Sequence, residues 1–482
     1  MKDVIIVGGG IAGLSAAWRL RDYDILLLEV ENRVGGRIKS EKRGNQWLNW
    51  GGHLYAGTDS ETGELLREVG VDAQPVAGQL AAMFMKGKLL VGGHVETYPF
   101  RIPMSWKSRL ALMRAGAKVR MAVMKYGKIS KRRAGEDYMD QQQRVFNFMN
   151  NKTFTDFVGK LPVDADAIFR PTVSRSTGEP EQISAGSGVG YFNLIWDKKD
   201  GLSRNIIGGP SVLTETIANS LGEKVQIGAG VDELFHKEES VVVRYTKDGV
   251  QHEVEARYVI CAAPAPATRK MAVDLPNDTA RALDQIVYGP HVSASFLTNE
   301  TEPQVWDHLY SIATPKKSFD ALIHNSNFNH SWNATRERGS SFMTFSPAGR
   351  GRNLIRKTDE EIIQIYLDDL EQMFPGFRDK VVEAHVARWP LGSAYVFPGR
   401  ANIQKTLLKS AGRLFLAGDY LGTFYTETAV QTGFRAARQI DDLLGKNKST
   451  ETDETTGQLE ANKGNGVWEW RNTPDDRPHM LG

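Results

Sequence analysis

The sequence predicts an α/β protein, and three observations support that class. A strand, a glycine turn, a helix and a second strand fill the first thirty residues; strand segments flanked by glycines return at 205–285 and 400–445; and 482 residues, at about 150 per domain, leave room for a second domain with its own core. Val4–Val7 is a short continuous apolar run, as a buried parallel strand requires, Leu14–Leu20 has helical periodicity, and Ile25 opens a second apolar strand. Between them Gly8 allows a tight turn, Gly10 lets the backbone approach a pyrophosphate, and Gly13 lets the helix pack on the strand. The free N–H groups from Ile11 and Ala12 onward then meet negative charge at the positive end of the helix. Glu29 ends the second strand about 20 residues past the first glycine, where a carboxylate accepts from ribose hydroxyls. The unit is a Rossmann-like dinucleotide cradle.

A second clamp follows. Arg33, Gly35, Gly36 and Arg37 add another close backbone approach and two guanidiniums able to offset phosphate charge, which a simple nicotinamide domain does not need. Gly8–Gly13, Glu29 and Arg33–Arg37 together resemble the FAD-binding start of the flavin amine oxidase and protoporphyrinogen oxidase superfamily. The resemblance implies FAD as cofactor, a discontinuous FAD domain of 1–75, 205–285 and 400–445, and an α+β substrate domain of 76–204 and 286–399.

Composition narrows the class without naming a substrate. Hydrophobic content of 41% and a net charge of +2 exclude a disordered chain and give no global pull on nucleic acid. The single cysteine, Cys261, excludes an internal disulfide and fits a reducing cytoplasm. No apolar run approaches the roughly 20 residues that span a bilayer, so the expectation is a soluble or at most peripheral membrane protein. No metal ligand set is expected.

Trp50-Gly51-Gly52-His53 sits where the family passes the flavin ring and is followed by a predicted helix from Ser60 to Val69. Residues 80–100 read as a hairpin. Residues 101–133 contain no Asp or Glu, and carry Trp106, Leu110, Met113, Met121 and Met124 among lysines and arginines. They read as one or two helices, either a solvated basic surface or a contact with a membrane surface or acidic ligand. Residues 135–200 read as mainly helical and close on Gly186–Phe192, a glycine-rich linker. A helix to Leu221 and four strands between Val225 and Cys261 follow; Val231 matches the family position whose backbone meets the adenine. A helix from Asp359 to Met373, a strand from Val382 to Trp389 and a last helix from Thr426 to Leu444 precede a polar tail, 446–482.

The most specific match is Leu414–Gly418, Asp419 and the helix start that follows. It resembles the second flavin motif of the superfamily, which gives Gly418 and Asp419 to the cofactor and points the N–H groups near Glu427, Thr428, Ala429 and Val430 at the flavin pyrimidine edge. Charge on a reduced flavin would be stabilised by that helix end. Tyr425 sits where family amine oxidases place one wall of an aromatic cage, and Tyr395, after Trp389, is the candidate second wall. His53 and His291 are polar candidates nearby. The lysine that family amine oxidases carry on the strand aligned with His291–Phe296 is missing, which shifts weight toward protoporphyrinogen oxidase-like or desaturase-like dehydrogenation.

The expected protein is an FAD-dependent oxidoreductase with non-covalent FAD, taking hydride from a C–H next to nitrogen or a conjugated carbon of a small or medium molecule, with O2 or another acceptor. The alternatives are a non-redox flavin mutase resembling the UDP-galactopyranose mutases, whose N-terminal segment Gly52-His53 resembles, and a flavoprotein that only binds.

Overall fold

The computed structural model describes residues 1–76, 82–92, 97–196, 204–327, 338–423 and 425–452. The tail with Trp468 and Trp470 lies outside the described residues. Met1–Gln439 is one compact unit, and the described part of the second unit is the end of the last helix.

Two seven-stranded sheets organise the compact unit. The first is built from β1 (Lys2–Val7), β2 (Ile25–Leu28), β9 (Val225–Gln226), β10 (Ala229–His236), β11 (Val241–Lys247), β12 (Val250–Cys261) and β18 (Leu414–Leu416). Its order is β10-β11-β12-β1-β2-β9, with β18 paired to β12. The half of β12 near Cys261 runs parallel between β1 and β18, while its first half pairs antiparallel with β11. Val4 to Val7 register against Ile25 to Leu28 and are buried throughout, which is why these strands read as unbroken apolar runs.

The second sheet has the order β17-β13-β16-β15-β14-β6-β7. Its strands are β6 (Ala82–Met85), β7 (Lys88–Leu90), β13 (Tyr288–Thr298), β14 (Ser311–Ala313), β15 (Ala321–His324), β16 (Ser341–Pro347) and β17 (Val381–Ala394). Two short ribbons, β3 (Ser40–Arg43) with β4 (Gln46–Asn49) and β5 (Ala73–Pro75) with β8 (Arg204–Ile206), complete the strands. The predicted hairpin at 80–100 is β6–β7.

Helices α1 (Ile11–Arg19), α2 (Glu61–Val69) and α9 (Ser211–Leu221) belong to the segments around the first sheet. A helical layer is made of α3 (Tyr98–Arg101), α4 (Trp106–Ser130), α5 (Tyr138–Asn147), α6 (Phe154–Val158), α7 (Val163–Ser174) and α8 (Ala185–Trp196). Then come α10 (Ala265–Met271), α11 (Asn277–Asp284), α12 (Ala348–Leu354), α13 (Asp359–Met373), α14 (Gln404–Leu407) and α15 (Tyr425–Thr452). Boundaries follow local chemistry: Ser60 caps α2 and Gly70 ends it in the left-handed region, while Thr358 and Glu361 form a reciprocal capping box on α13.

The glycine-rich linker expected at 186–192 is instead the interior of α8. A Cβ at Gly186 would lie 1.8 Å from the Phe148 carbonyl oxygen, one at Gly188 2.4 Å from the Phe154 ring and one at Gly190 2.7 Å from the Tyr126 hydroxyl. The glycines are there for close packing in the core that Val119, Tyr126, Phe154, Phe169 and Phe192 share, and that packing outweighs a helix penalty of about 1 kcal/mol per glycine.

Candidate active site

The first loop is a cradle whose glycines do different work. Gly8 has φ +107° and lies under Ala262 and Ala263, and a Cβ at Gly13 would lie 2.0 Å from the Gly8 carbonyl oxygen, so helix and turn meet backbone to backbone. A Cβ at Gly10 would meet nothing within 4 Å. Helix α1 starts at that open space with no capping side chain and no acid in its first turn, leaving its N–H groups to an anionic ligand. The Gly9 N–H donates to Glu29 Oε2 at 2.6 Å and the Glu31 N–H to Oε1 at 2.8 Å. Burial raises the Glu29 carboxyl above its ordinary range while these two N–H bonds pull it back. The second clamp docks on the first, the Gly35 N–H donating to the Gly9 carbonyl at 2.8 Å. A dinucleotide fits this cradle, and Gly10, the α1 terminus and Glu29 are the groups that could hold it.

Arg33 corrects one expectation. Its guanidinium folds back onto the clamp, donating to the carbonyls of Gly36, Val34 and Ile38 and pairing with Glu31, so it buttresses the loop and does not line the cavity. Arg37 does line it, held by two parallel bonds to Asp419 at 2.7 and 2.9 Å. Gly51 is needed where the next loop crosses: a Cβ there would lie 2.0 Å from the Arg37 carbonyl oxygen, to which the Gly52 N–H donates.

A cavity of about 1920 Å³ runs from this cradle into the second sheet and the helical layer. Glu29, Val231, Ala263 and Met271 wall the nucleotide end; Gly36, Arg37, Gly52, Gly418, Asp419 and Ala429 wall the middle; Tyr425, Trp389, His53 and His291 wall the far chamber. Gly8, Gly10, Ile11, Ala12, Gly35 and Gly51 also line it, whereas Gly13 acts through helix packing.

Tyr425 opens α15 with φ +48°, a conformation that is strained for an aromatic residue and that its packing holds in place. Its ring stacks on Tyr191 at 6.0 Å and 28°, and burial drives its hydroxyl well above the ordinary phenol range. The Trp389 indole N–H donates to the Trp50 carbonyl at 3.1 Å, and its ring stacks on His291 at 5.8 Å. On β13, where the expected lysine is missing, Ser293 is buried and donates to the same Trp50 carbonyl at 2.7 Å. Burial lowers His53 to about 4 and His291 to about 3, so both imidazoles are neutral at physiological pH.

Four further site residues are corrected. Tyr395 does not line the cavity: it packs against the helical core, its ring where a Cβ on Gly178 would come within 2.8 Å. Glu427 points to α2, accepting from the backbone N–H groups of Glu61 and Thr62 at 3.1 Å and from Gln431 at 3.0 Å, and is a helix cap supplied from 366 residues away. Thr428, whose hydroxyl bonds Tyr138, and Val430, fully buried, also stay off the cavity wall. The first turn of α15 reaches the cavity through Thr426 and Ala429 instead.

The sequence reading missed Arg175, Asp320, Tyr310 and Phe345, all of which wall the far chamber. Asp320 is 3% exposed beside the Arg350 guanidinium at 2.5 Å, and burial raises its carboxyl to about 6. An isolated acid in a weak β segment was the available signal, and only the fold brings it to the cavity.

A dinucleotide cradle opening onto a chamber with aromatic walls is the arrangement of a dinucleotide-dependent oxidoreductase. Residues 11–441 match the family described as flavin containing amine oxidoreductase, and the chain belongs to that family; its cofactor is FAD. Flavin-containing amine oxidase A of Sus scrofa is 24% identical over 491 residues, spanning 92% of this chain and 86% of that one. The flavin-containing amine oxidase of Danio rerio is 26% identical over 479 residues with the same coverage. Among solved structures, putrescine oxidase bound to putrescine superposes with a TM-score of 0.73 at 17% identity, and cyclohexylamine oxidase from Brevibacterium oxydans with 0.72 at 18%; each alignment covers 92% of this chain and 99% of the other. These structures share the fold. The chain is thus an FAD-dependent oxidase of the amine-oxidising family.

Proposed function

We propose that the chain oxidises a neutral amine with a mainly apolar body in the chamber between Tyr425 and Trp389, with O2 as the electron acceptor. The observation behind this is the position of that chamber: it continues directly from the Asp419 and Ala429 end of the cradle, and its wall is largely aromatic, with two neutral imidazoles beside Arg175 and Asp320. Bound FAD supplies the two-electron acceptor. Tyr425 and Trp389 would hold and orient the amine in the chamber, leaving the nitrogen lone pair free to assist loss of hydride from the C–H beside it. Neutral His53 and His291 add no charge of their own to the chamber in which the amine would be oxidised. The first turn of α15, which reaches the cavity through Thr426 and Ala429, would present its N–H dipole end to bound FAD and favour negative charge there. Water then adds to the iminium, giving a carbonyl compound and ammonia from a primary amine (the smaller amine from a secondary or tertiary one), and O2 takes both electrons and two protons to become hydrogen peroxide.

In this reading 1–75, 205–285 and 400–445 hold the cofactor while 76–204 and 286–399 hold the substrate. FAD is held without a covalent bond, because Cys261 is buried in β12 beside Thr268 and does not line the cavity. The test is aerobic turnover of a panel of aliphatic and aryl-alkyl amines with porphyrinogens as a contrast set. Peroxide and aldehyde released in equal amounts from amines support the reading; peroxide only from porphyrinogens would overturn it.

A further inference from the structure

Helix α4, Trp106–Ser130, is basic and carries no acid, and the composition alone fits a solvated surface helix. The structure separates its faces. Leu112, Ala115, Val119, Ala122, Val123 and Tyr126 are buried in the helical core. The opposite face should then be polar, yet at 100° per residue Trp106, Leu110, Met113, Ala117, Met121 and Met124 fall in an arc of ~80° along the helix. Trp106 is 79% exposed and Met121 and Met124 are each 56% exposed. Single exposed apolar residues are ordinary, but a continuous stripe over a 25-residue helix is not. Lys107, Arg114, Lys118 and Lys125 flank the stripe on one side and Arg109 and Arg120 on the other.

We propose that this face docks the protein on an anionic phospholipid surface, with the apolar stripe inserted at the interface and the flanking cations among the headgroup phosphates. Charge selects this occupant: an acid-free rim around an apolar strip complements a negatively charged interface and repels a second copy of itself. Met113, Ala117 and Arg120 also line the cavity, so docking sets one wall of the chamber at the lipid boundary. None of the described helices is long and apolar enough to cross a membrane, so the contact is one of surface only.

The test is co-sedimentation of the FAD-loaded full chain with vesicles of phosphatidylcholine alone or with about a third phosphatidylglycerol. Binding should appear with phosphatidylglycerol and be released by about 0.5 M salt. Met121→Glu with Met124→Glu, neither of which lines the cavity, should lower partitioning about tenfold or more with flavin absorbance unchanged. Lys107→Glu with Lys125→Glu, which leaves the stripe intact, should remove the phosphatidylglycerol dependence. Equal binding to both vesicle types, wild-type partitioning by the methionine variant, or a wild-type dimer that the same variant splits would each overturn the proposal. Turnover is not read, so failure here leaves the amine oxidase reading untouched.

Discussion

Replacing Gly10 and Gly13 in turn by alanine should separate cofactor binding from folding within one loop. At Gly10 the new methyl meets nothing within 4 Å, and the backbone angles of φ −70° and ψ 172° suit alanine. Losing a glycine N-cap costs about 0.5–1 kcal/mol, and the smaller unfolded-state entropy returns about 0.4–1 kcal/mol, so apo stability should stay nearly level. The methyl nonetheless fills the space into which α1 points its free N–H groups. Displacing one charge-assisted phosphate bond there costs about 1.5–3 kcal/mol, or about 10- to 150-fold in FAD affinity. At Gly13 the methyl would sit 2.0 Å from the Gly8 carbonyl oxygen, so helix and turn must part. Overpacking of that kind costs about 1–3 kcal/mol, and Gly13→Ala should lower the denaturant midpoint of the apoprotein. Apoprotein unfolding curves and FAD titration by flavin fluorescence read the two effects. A Gly10→Ala protein that binds FAD as tightly as wild type would refute the placement of the pyrophosphate.

Tyr425→Ala should lower turnover at least about tenfold with FAD retained, and Tyr425→Phe should be mild if stacking on Tyr191 is the role. Tyr395→Ala, off the cavity, should cost stability while sparing kcat, as thermal unfolding beside steady-state rates would show. Burial beside Glu61 raises the Glu427 carboxyl to about 7, above its value of 4.5 when unfolded. The proton it keeps therefore stabilises the fold below the unfolded value, and that contribution is lost as pH rises through about 7. The Tm of wild type should fall between mildly acidic and mildly alkaline pH, with a flatter profile for Glu427→Gln. Acid precipitation should release all flavin to the supernatant, since Cys261 is out of reach, and a yellow pellet would mean a covalent link.

Wherever a residue acts through its own backbone neighbourhood, the sequence was enough to place it. Val4–Val7, Gly8, Gly10, Gly13 and Glu29 sit as their spacing requires because one β-α-β unit contains all their partners. The helices expected at Ser60–Val69 and Asp359–Met373 begin where they should for the same reason, capped by Ser60 and Thr358. Failures came where distant chain decides. Gly186, Gly188 and Gly190 suggest a loop by propensity, but the aromatic residues facing them make a close-packed helix. Glu427 looks like a cofactor contact until Glu61 and Thr62 arrive across the fold to be capped. Arg33 and Tyr395 hold the expected motif positions, yet the clamp carbonyls take one and the helical core takes the other. Arg175 and Asp320, alone in weakly patterned segments, carry no signal until the chamber closes around them.

On the function proposed above, the bond broken is an amine C–H beside nitrogen, held in the chamber walled by Tyr425 and Trp389. Anaerobic mixing of the FAD-loaded protein with a reactive amine from the panel and with the same amine deuterated at the carbon beside nitrogen tests it most directly. The prediction is loss of the oxidised flavin absorbance in a single turnover, slowed by a primary isotope effect and slowed further in Tyr425→Ala. A flavin that stays oxidised under every amine, or that bleaches at the same single-turnover rate with both isotopes, would contradict it.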